Sequence, residues 1–296
     1  MQMRNDKVKT SNRSKFSIST VNSIYGYIFI MPWILGFLIF TAYPFFYSIF
    51  LSFNSVLVST EGIQTTWIGL NNYVELFTKD IKFPIDLIAS IVAIVLSTPM
   101  IIVASLIIAM LLNGKYRGRG FFRALYFIPV IIISGPVMSE LIENQAAKIV
   151  IPTKYMIYQF FSMIGPVGAP IVYVFDNLVL ILWYSGVQIL IFLAGIQKVD
   201  TTIYEAAAID GASSWQVFWK VIIPYIRPIA LINAIFTIVE MASNAGGGIN
   251  KGITDSMFVL GHVYSYSAAM SWIYFLIILV LLVIAFLILR EKEGDR

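Results

Sequence analysis

The sequence predicts an all-α polytopic membrane protein of six transmembrane helices, both termini on the cytoplasmic side. Three observations lead there. Hydrophobic residues make up 59% of the 296 and charged residues only 12%, whereas a soluble domain is roughly half apolar and about a quarter charged. Mean hydropathy is +0.84. Six segments approach the ~20 apolar residues needed to cross a bilayer, and most of the basic residues fall in the gaps that would share one side of it.

Taken in order, the segments span about 25–53, 85–112, 122–142, 171–196, 226–245 and 270–289. The first carries Pro32, Gly36 and Pro44 and reads as a kinked span running into an interfacial turn. The lysines and arginines then orient the chain. Fifteen lie in the N-terminal tail, the loops after spans 2 and 4, and the C-terminus; five lie in the other loops. Cytoplasmic loops carry the excess, so both termini and the loop after span 4 are expected inside. Residues 1–24 read as a basic cytoplasmic tail, 25–290 as one transmembrane domain, and 291–296 as a cytoplasmic tail. The tail has no apolar core with a cleavage site, so it does not read as a secretory signal. The basic residues flank apolar spans, which argues for orientation rather than nucleic-acid binding.

Composition also removes several chemistries. Cysteine is absent, which excludes disulfides, thiol catalysis and Cys-ligated metal. A single histidine, His262, leaves little basis for a His-based metal site or triad. No catalytic residue, metal or cofactor site is expected. The glycine-rich stretch AGGGINKG (245–252) lacks the spacing of a phosphate-binding loop. A polytopic enzyme would need clustered His, Asp or Ser at membrane depth. An ion-gradient-driven transporter, the alternative reading, usually shows internal repeats and a buried charged relay; here only Glu240 stands out and no repeat is visible.

The stretch YEAAAIDGASSWQVFWKVIIP (204–224) interrupts the lipid-soluble pattern. Thr202-x-x-Glu205 reads as a capping box opening a short helix, with Ile203, Ala206, Ala207 and Asp210 following on one side. Gly211 suits a left-handed C-terminal cap. Ser213-x-x-Gln216 is a second capping box, and Trp215, Phe218, Trp219 and Ile222 form a helical stripe. Pro224 and Pro228 mark the return toward span 5. The unit reads as helix, tight turn, amphipathic helix. It is either an interfacial loop or, given its alanine surface, a place where a partner's backbone approaches.

This stretch resembles the EAA loop of the membrane subunits of ABC importers, pattern E-A-A-x-x-x-G followed by a hydrophobic-Pro pair. The match extends to the carbohydrate-uptake branch, permeases similar to the maltose and glycerol-phosphate importer subunits. MPWILGFLIFTAYPFFYSIFLSF (31–53) resembles that branch's first span and WIGLNNYVELF (67–77) its first external loop. GRGFFRALYFIPVIIISG (118–135) resembles the start of span 3, and LAGIQKVDTTIYEAAAIDGAS (193–213) the junction of span 4 with the loop. The resemblance implies that Glu205, Ala206, Ala207, Asp210 and Gly211 couple the chain to a cytoplasmic ATPase. It implies partners as well: two ATPase subunits holding ATP and magnesium, a second related permease, and an extracytoplasmic solute-binding protein. It places the chain in the bacterial cytoplasmic membrane.

For the substrate path, intramembrane polar residues are the natural candidates: Gln188 in span 4 and Asn233, Glu240 and Asn244 in span 5, with Tyr264 ahead of span 6. Glu240 has two readings, a pathway group or a contact at the outer interface or with a neighbouring subunit. Gln188 and Asn233 also suit interhelical hydrogen bonds, and Tyr264, Tyr266 and Trp272 an aromatic belt. Gly246, Gly247 and Gly248 suggest that span 5 breaks in its outer half. The branch's Thr-Gly-Gly-Gly-Pro-like stretch is replaced here by SNAGGGINKG, without Pro.

Overall fold

The computed structural model describes residues 18–59, 62–114, 156–165, 168–243, 248–258 and 264–290, together with 118, 120, 121 and 124. The expected third span, Asn244, most of the N-terminal tail and the cationic loop after span 2 lie outside the described residues. Five helical runs are long and apolar enough to cross a membrane: Tyr25–Ser52, Lys82–Asn113, Leu178–Ile196, Ser214–Ala242 and Ser265–Leu289.

The chain divides into two compact units, one ending at Leu51 and one beginning at Ser52. The first holds α1 (Ile18–Phe37), a π turn (Leu38–Ala42) and most of α2 (Tyr43–Ser52). Pro32 sits inside α1 without ending it. The wide turn falls two residues before Pro44. Proline has no N–H and its ring crowds the carbonyl four residues back. The Tyr43 N–H reaches instead to the Leu38 carbonyl, five residues back, which absorbs the mismatch. The π turn falls between Gly36 and Pro44, within the stretch where the kink was expected.

The second unit opens with a feature that departs from the all-α expectation. Strands β1 (Asn54–Ser59) and β2 (Gly62–Trp67) pair antiparallel, Asn54 opposite Trp67 and Ser59 opposite Gly62. Burial alternates along β1, with Val56 1% exposed and Leu57 47% exposed. That period of two marks a half-buried strand. Helix α3 (Asn71–Thr78) fastens the hairpin: the Asn72 amide donates to the Ser52 and Asn54 carbonyls at 2.8 and 3.1 Å, and the Tyr73 hydroxyl to Ser52 Oγ at 2.8 Å.

Helix α4 (Lys82–Asn113) is the long central element. Asp80 caps it, accepting from the Lys82 and Phe83 amides at 2.9 and 3.0 Å. The short α5 (Met156–Met163) carries Phe160 and Phe161 edge to face. The expected fourth span is two helices, α6 (Ala169–Asp176) and α7 (Leu178–Ile196), parted at Asn177. Its side chain donates to the Tyr173 carbonyl at 3.0 Å; an asparagine that bonds backbone in this way competes with regular helix.

Next come α8 (Thr201–Ile209), α9 (Ser214–Val217), a second π turn (Phe218–Ile222) and α10 (Ile223–Ala242). Helix α10 stops at Ala242, and α11 (Gly248–Ser256) and α12 (Ser265–Leu289) complete the chain. The halt at Ala242 falls three residues before the expected end of span 5, and Gly246 and Gly247, on which the expected break rests, lie outside the described residues. One cluster buries Leu76, Phe83, Ile94, Ile249 and Ala269 among α3, α4, α11 and α12. Another buries Ala109, Ile189, Phe192, Ile222 and Ile226 where α4, α7 and α10 meet.

Candidate functional site

The loop between α7 and α10 is built by three caps. Asp200, extended at φ −63° and ψ 133°, begins α8 by accepting from the Thr202 amide at 3.0 Å. This corrects the expected Thr202/Glu205 capping box. A carboxylate already occupies the cap two residues earlier, where its geometry satisfies a free amide at the helix start. The hydrogen bond from the Thr202 backbone, and secondly from its side chain, holds the Asp200 carboxyl below its ordinary range. Glu205 is therefore relieved of capping. It lies exposed in the second turn.

At the other end Gly211 adopts φ +72°. The Ala212 amide donates to the Ala207 carbonyl at 2.9 Å and the Gly211 amide to the Ala208 carbonyl at 3.1 Å. That pair of bonds defines a Schellman cap, as the sequence led one to expect. The Ser213/Gln216 capping box is also present, with both reciprocal bonds made.

The expected stripe of Trp215, Phe218, Trp219 and Ile222 is divided by the structure. Phe218 and Ile222 face the α4–α7–α10 cluster, whereas Trp215 is 68% and Trp219 51% exposed. The cause is the π turn over 218–222, which falls two residues before Pro224 as the first π turn does before Pro44. It carries Phe218 O to the Ile223 amide and rewinds the helix by one residue. Proline thus does not interrupt the chain here: the helix runs from Ser214 through Pro224 and Pro228 to Ala242. The outward surface of the pair presents Ile203, Glu205, Ala206, Asp210 and Trp215, with Ile209 87% exposed at the tip. Ala207 is half-buried. The inward side is held by Tyr204 and Val217, and burial pushes the Tyr204 phenol up from its usual value.

The two helices that carry this loop are locked together. A Cβ built on Gly195 of α7 would come within 2.1 Å of Ile229 Cδ1 on α10, so the bare glycine permits the approach. The Tyr225 hydroxyl donates to the Lys198 carbonyl at 3.2 Å. Deeper in, Gln188 Nε2 donates to Thr237 Oγ1 at 2.9 Å and to Glu240 Oε2 at 3.2 Å. Thr237 in turn donates to the Asn233 carbonyl at 2.8 Å, and Asn233 Nδ2 reaches the Gln188 carbonyl at 3.5 Å. Gln188, Asn233 and Thr237 are fully buried. Three of the residues expected along the substrate path, Gln188, Asn233 and Glu240, therefore meet in one interhelical network.

None of the three lines a cavity that opens among the helices. That space, about 150 Å³, lies between one face of α4 (Ser90, Ile94, Ser97), the α6–α7 junction (Tyr173, Asn177, Tyr184) and the ends of α10, α11 and α12. Met241, Asn250 and Tyr274 close it. Its polar groups are tied to their surroundings. Ser97 Oγ and Tyr173 OH are 2.9 Å apart, and both Asn250 Nδ2 and Tyr274 OH donate to the Ala242 carbonyl, at 2.8 and 3.2 Å. Tyr264 is not part of it. It stands ahead of α12 at φ 62°, its ring edge-on to Phe258 at 5.9 Å. The cavity residues escaped the sequence reading. The i, i+3, i+4, i+7 spacing of Ser90, Ala93, Ile94 and Ser97 puts two serines on one face of α4, a signal present in the sequence. Asn177, Leu180, Ile181 and Tyr184 repeat it at the start of α7.

The profile of the family described as "Binding-protein-dependent transport system inner membrane component" matches residues 77–290. The chain is 33% identical to the "Multiple sugar-binding transport system permease protein MsmF" of Streptococcus mutans serotype c, covering 87% of this chain and 92% of that one. It is 27% identical to the "Lactose transport system permease protein LacF" of Rhizobium radiobacter, covering 95% and 99% respectively. Among solved structures, a chain of a bacterial alginate ABC transporter, crystallised with an alginate pentasaccharide-bound periplasmic protein, superposes with a TM-score of 0.63. The match covers 90% of this chain and 94% of that one at 19% identity, a likeness of fold.

Proposed function

The chain belongs to the family of binding-protein-dependent transport system inner membrane components, and from that premise we propose that it is the permease subunit of an ATP-driven importer of carbohydrate. It spans the membrane several times. We assign it six spans with both termini cytoplasmic. A second, related permease completes the pathway, an external binding protein delivers the solute, and two ATPase subunits hold the ATP and magnesium. The sugar names borne by its relatives support the choice of substrate.

The observation that carries this reading is the loop between α7 and α10. Its outward face offers exposed apolar and small side chains around Glu205. Its base is one rigid piece, because α9 is continuous with α10 through the π turn and α10 packs on α7 through Gly195. A displacement applied by an ATPase at Ile209 or Trp215 is therefore passed to both helices together.

The first test is a gentle pull-down of the tagged chain from native membranes, with every co-purifying chain identified and counted. Two ATPase copies and one related permease are expected. Two ATPase copies without a sister would make the permease a homodimer. A chain recovered without any ATPase, from membranes still active in uptake, or uptake that persists on an ion gradient after ATP depletion, would overturn the reading.

A further inference from the structure

The cavity between α4, α6–α7 and the ends of α10, α11 and α12 has a chemical character that narrows the substrate. Among the described residues lining it none is charged. Three tyrosines (Tyr173, Tyr184 and Tyr274), two asparagines (Asn177 and Asn250) and two serines supply its functional groups, set among aliphatic side chains. Three carboxylates flank the lining in sequence and none of them lines the cavity: Asp176 beside Asn177, Glu240, which accepts from Gln188, and Asp86, which lies against Gly248 and Gly252 of α11.

We propose that this cavity is a way-station for one uncharged sugar ring, and that it discriminates against acidic sugars. The proposal rests on the importer reading above and gives the substrate class at that site. A sugar ring has apolar C–H faces and a rim of hydroxyls. Tyrosine rings accept the faces, and amides and hydroxyls exchange bonds with the rim. A hydroxyl that leaves water for such partners loses little. A carboxylate entering the same space finds no cation among the described residues lining it and bears a desolvation penalty of several kcal/mol. At about 150 Å³ the space is below the ~300–1,000 Å³ of pockets that engulf whole drug-sized ligands. It suits a single ring of a longer chain.

The absence of cysteine makes a direct test available. Ser90→Cys and, separately, Asn250→Cys each put this chain's single thiol on the cavity wall. Each variant is reconstituted in proteoliposomes with its partner subunits. During ATP turnover it is treated with hydroxyethyl methanethiosulfonate, which is neutral, or sulfonatoethyl methanethiosulfonate, which is anionic. Rates are referred to those of a free thiol. The neutral reagent should be favoured by about tenfold or more at both positions. Lactose or maltotriose should slow labelling where trimannuronate does not. An anionic reagent that reacts as fast as the neutral one, protection by trimannuronate, or no reaction at either position would overturn the proposal. ATP-dependent sugar uptake by the unaltered complex is measured in parallel. If uptake persists while the labelling contradicts the proposal, the cavity assignment falls alone; if uptake is absent, the importer reading falls with it.

Discussion

Gly211 and Asp200 perform their tasks by backbone geometry alone, and that makes their substitutions informative. A Cβ at Gly211 would meet nothing within 4 Å, so what a side chain disturbs there is the φ of +72° and the surface presented to a partner. Valine at such an angle is disfavoured by about 1–2 kcal/mol, whereas asparagine visits it readily. Gly211→Val and Gly211→Asp should leave the chain inserted and abolish or uncouple uptake, while Gly211→Asn keeps the fold of the turn. Glu205→Lys, which alters an exposed charge outside any cap, should weaken ATPase retention in a pull-down without lowering the amount of chain in the membrane. Normal uptake by both Gly211→Asp and Glu205→Lys would end the lever interpretation. Asp200 adds a pH dependence. Its folded-state pKa lies below the ordinary 3.8, so its contribution to the helix is complete above that value and is lost as the pH falls through the lower one. Asp200→Asn should flatten that acid-side loss in the loop's hydrogen exchange.

The elements around the loop depend on two compensations, a missing side chain and an extra residue per turn. Gly195→Val would drive a branched side chain into Ile229, whose Cδ1 already lies 2.1 Å from a Cβ built on the glycine. Overpacking of this kind costs about 1–3 kcal/mol, and Ile229→Ala in the same chain should restore part of it, read as thermal stability in detergent. In the Gln188–Glu240 pair a double-mutant cycle should give a coupling of about 0.6–1.7 kcal/mol, the range of buried hydrogen bonds between membrane helices. The π turn is the second compensation. Deleting Lys220 removes its extra residue and should rotate α8 and α9 by roughly 100° about the axis of α10. Insertion would survive and coupling would not. Uptake unchanged by that deletion would mean that the orientation of the loop relative to span 5 is immaterial.

For the whole molecule the decisive quantities are orientation and assembly. Single cysteines placed at position 2 and position 295 should react with a membrane-impermeant maleimide only after the cytoplasmic face is opened. Labelling of either in intact cells would refute the arrangement with both termini inside. Much of this level was legible in the sequence. Apolar runs long enough to cross a bilayer register through composition alone, and four of the six segments are recovered within a few residues as unbroken helical runs or their continuations. The Schellman turn and the second capping box were equally readable, because Gly, Ser and Gln act on neighbouring backbone. The hairpin over 54–67 was not. Its strands are short and lie between the first span and the segment that resembles an external loop, and their pairing is closed by Asn72, some twenty residues from the start of β1.

The sequence by itself determined the membrane class, the position of the first, second and last of the long apolar helices, the chemistry of the turn between α8 and α9 and the family. Each depends on composition or on interactions within a few residues. Only the tertiary structure decided that the two tryptophans turn outward. It alone united Gln188, Asn233 and Glu240 in one network apart from the cavity. Those outcomes turn on which helix faces which. A polar residue in an apolar span announces that it must find a partner, and only the packing of α7 against α10 says whether that partner is another helix or a passing solute.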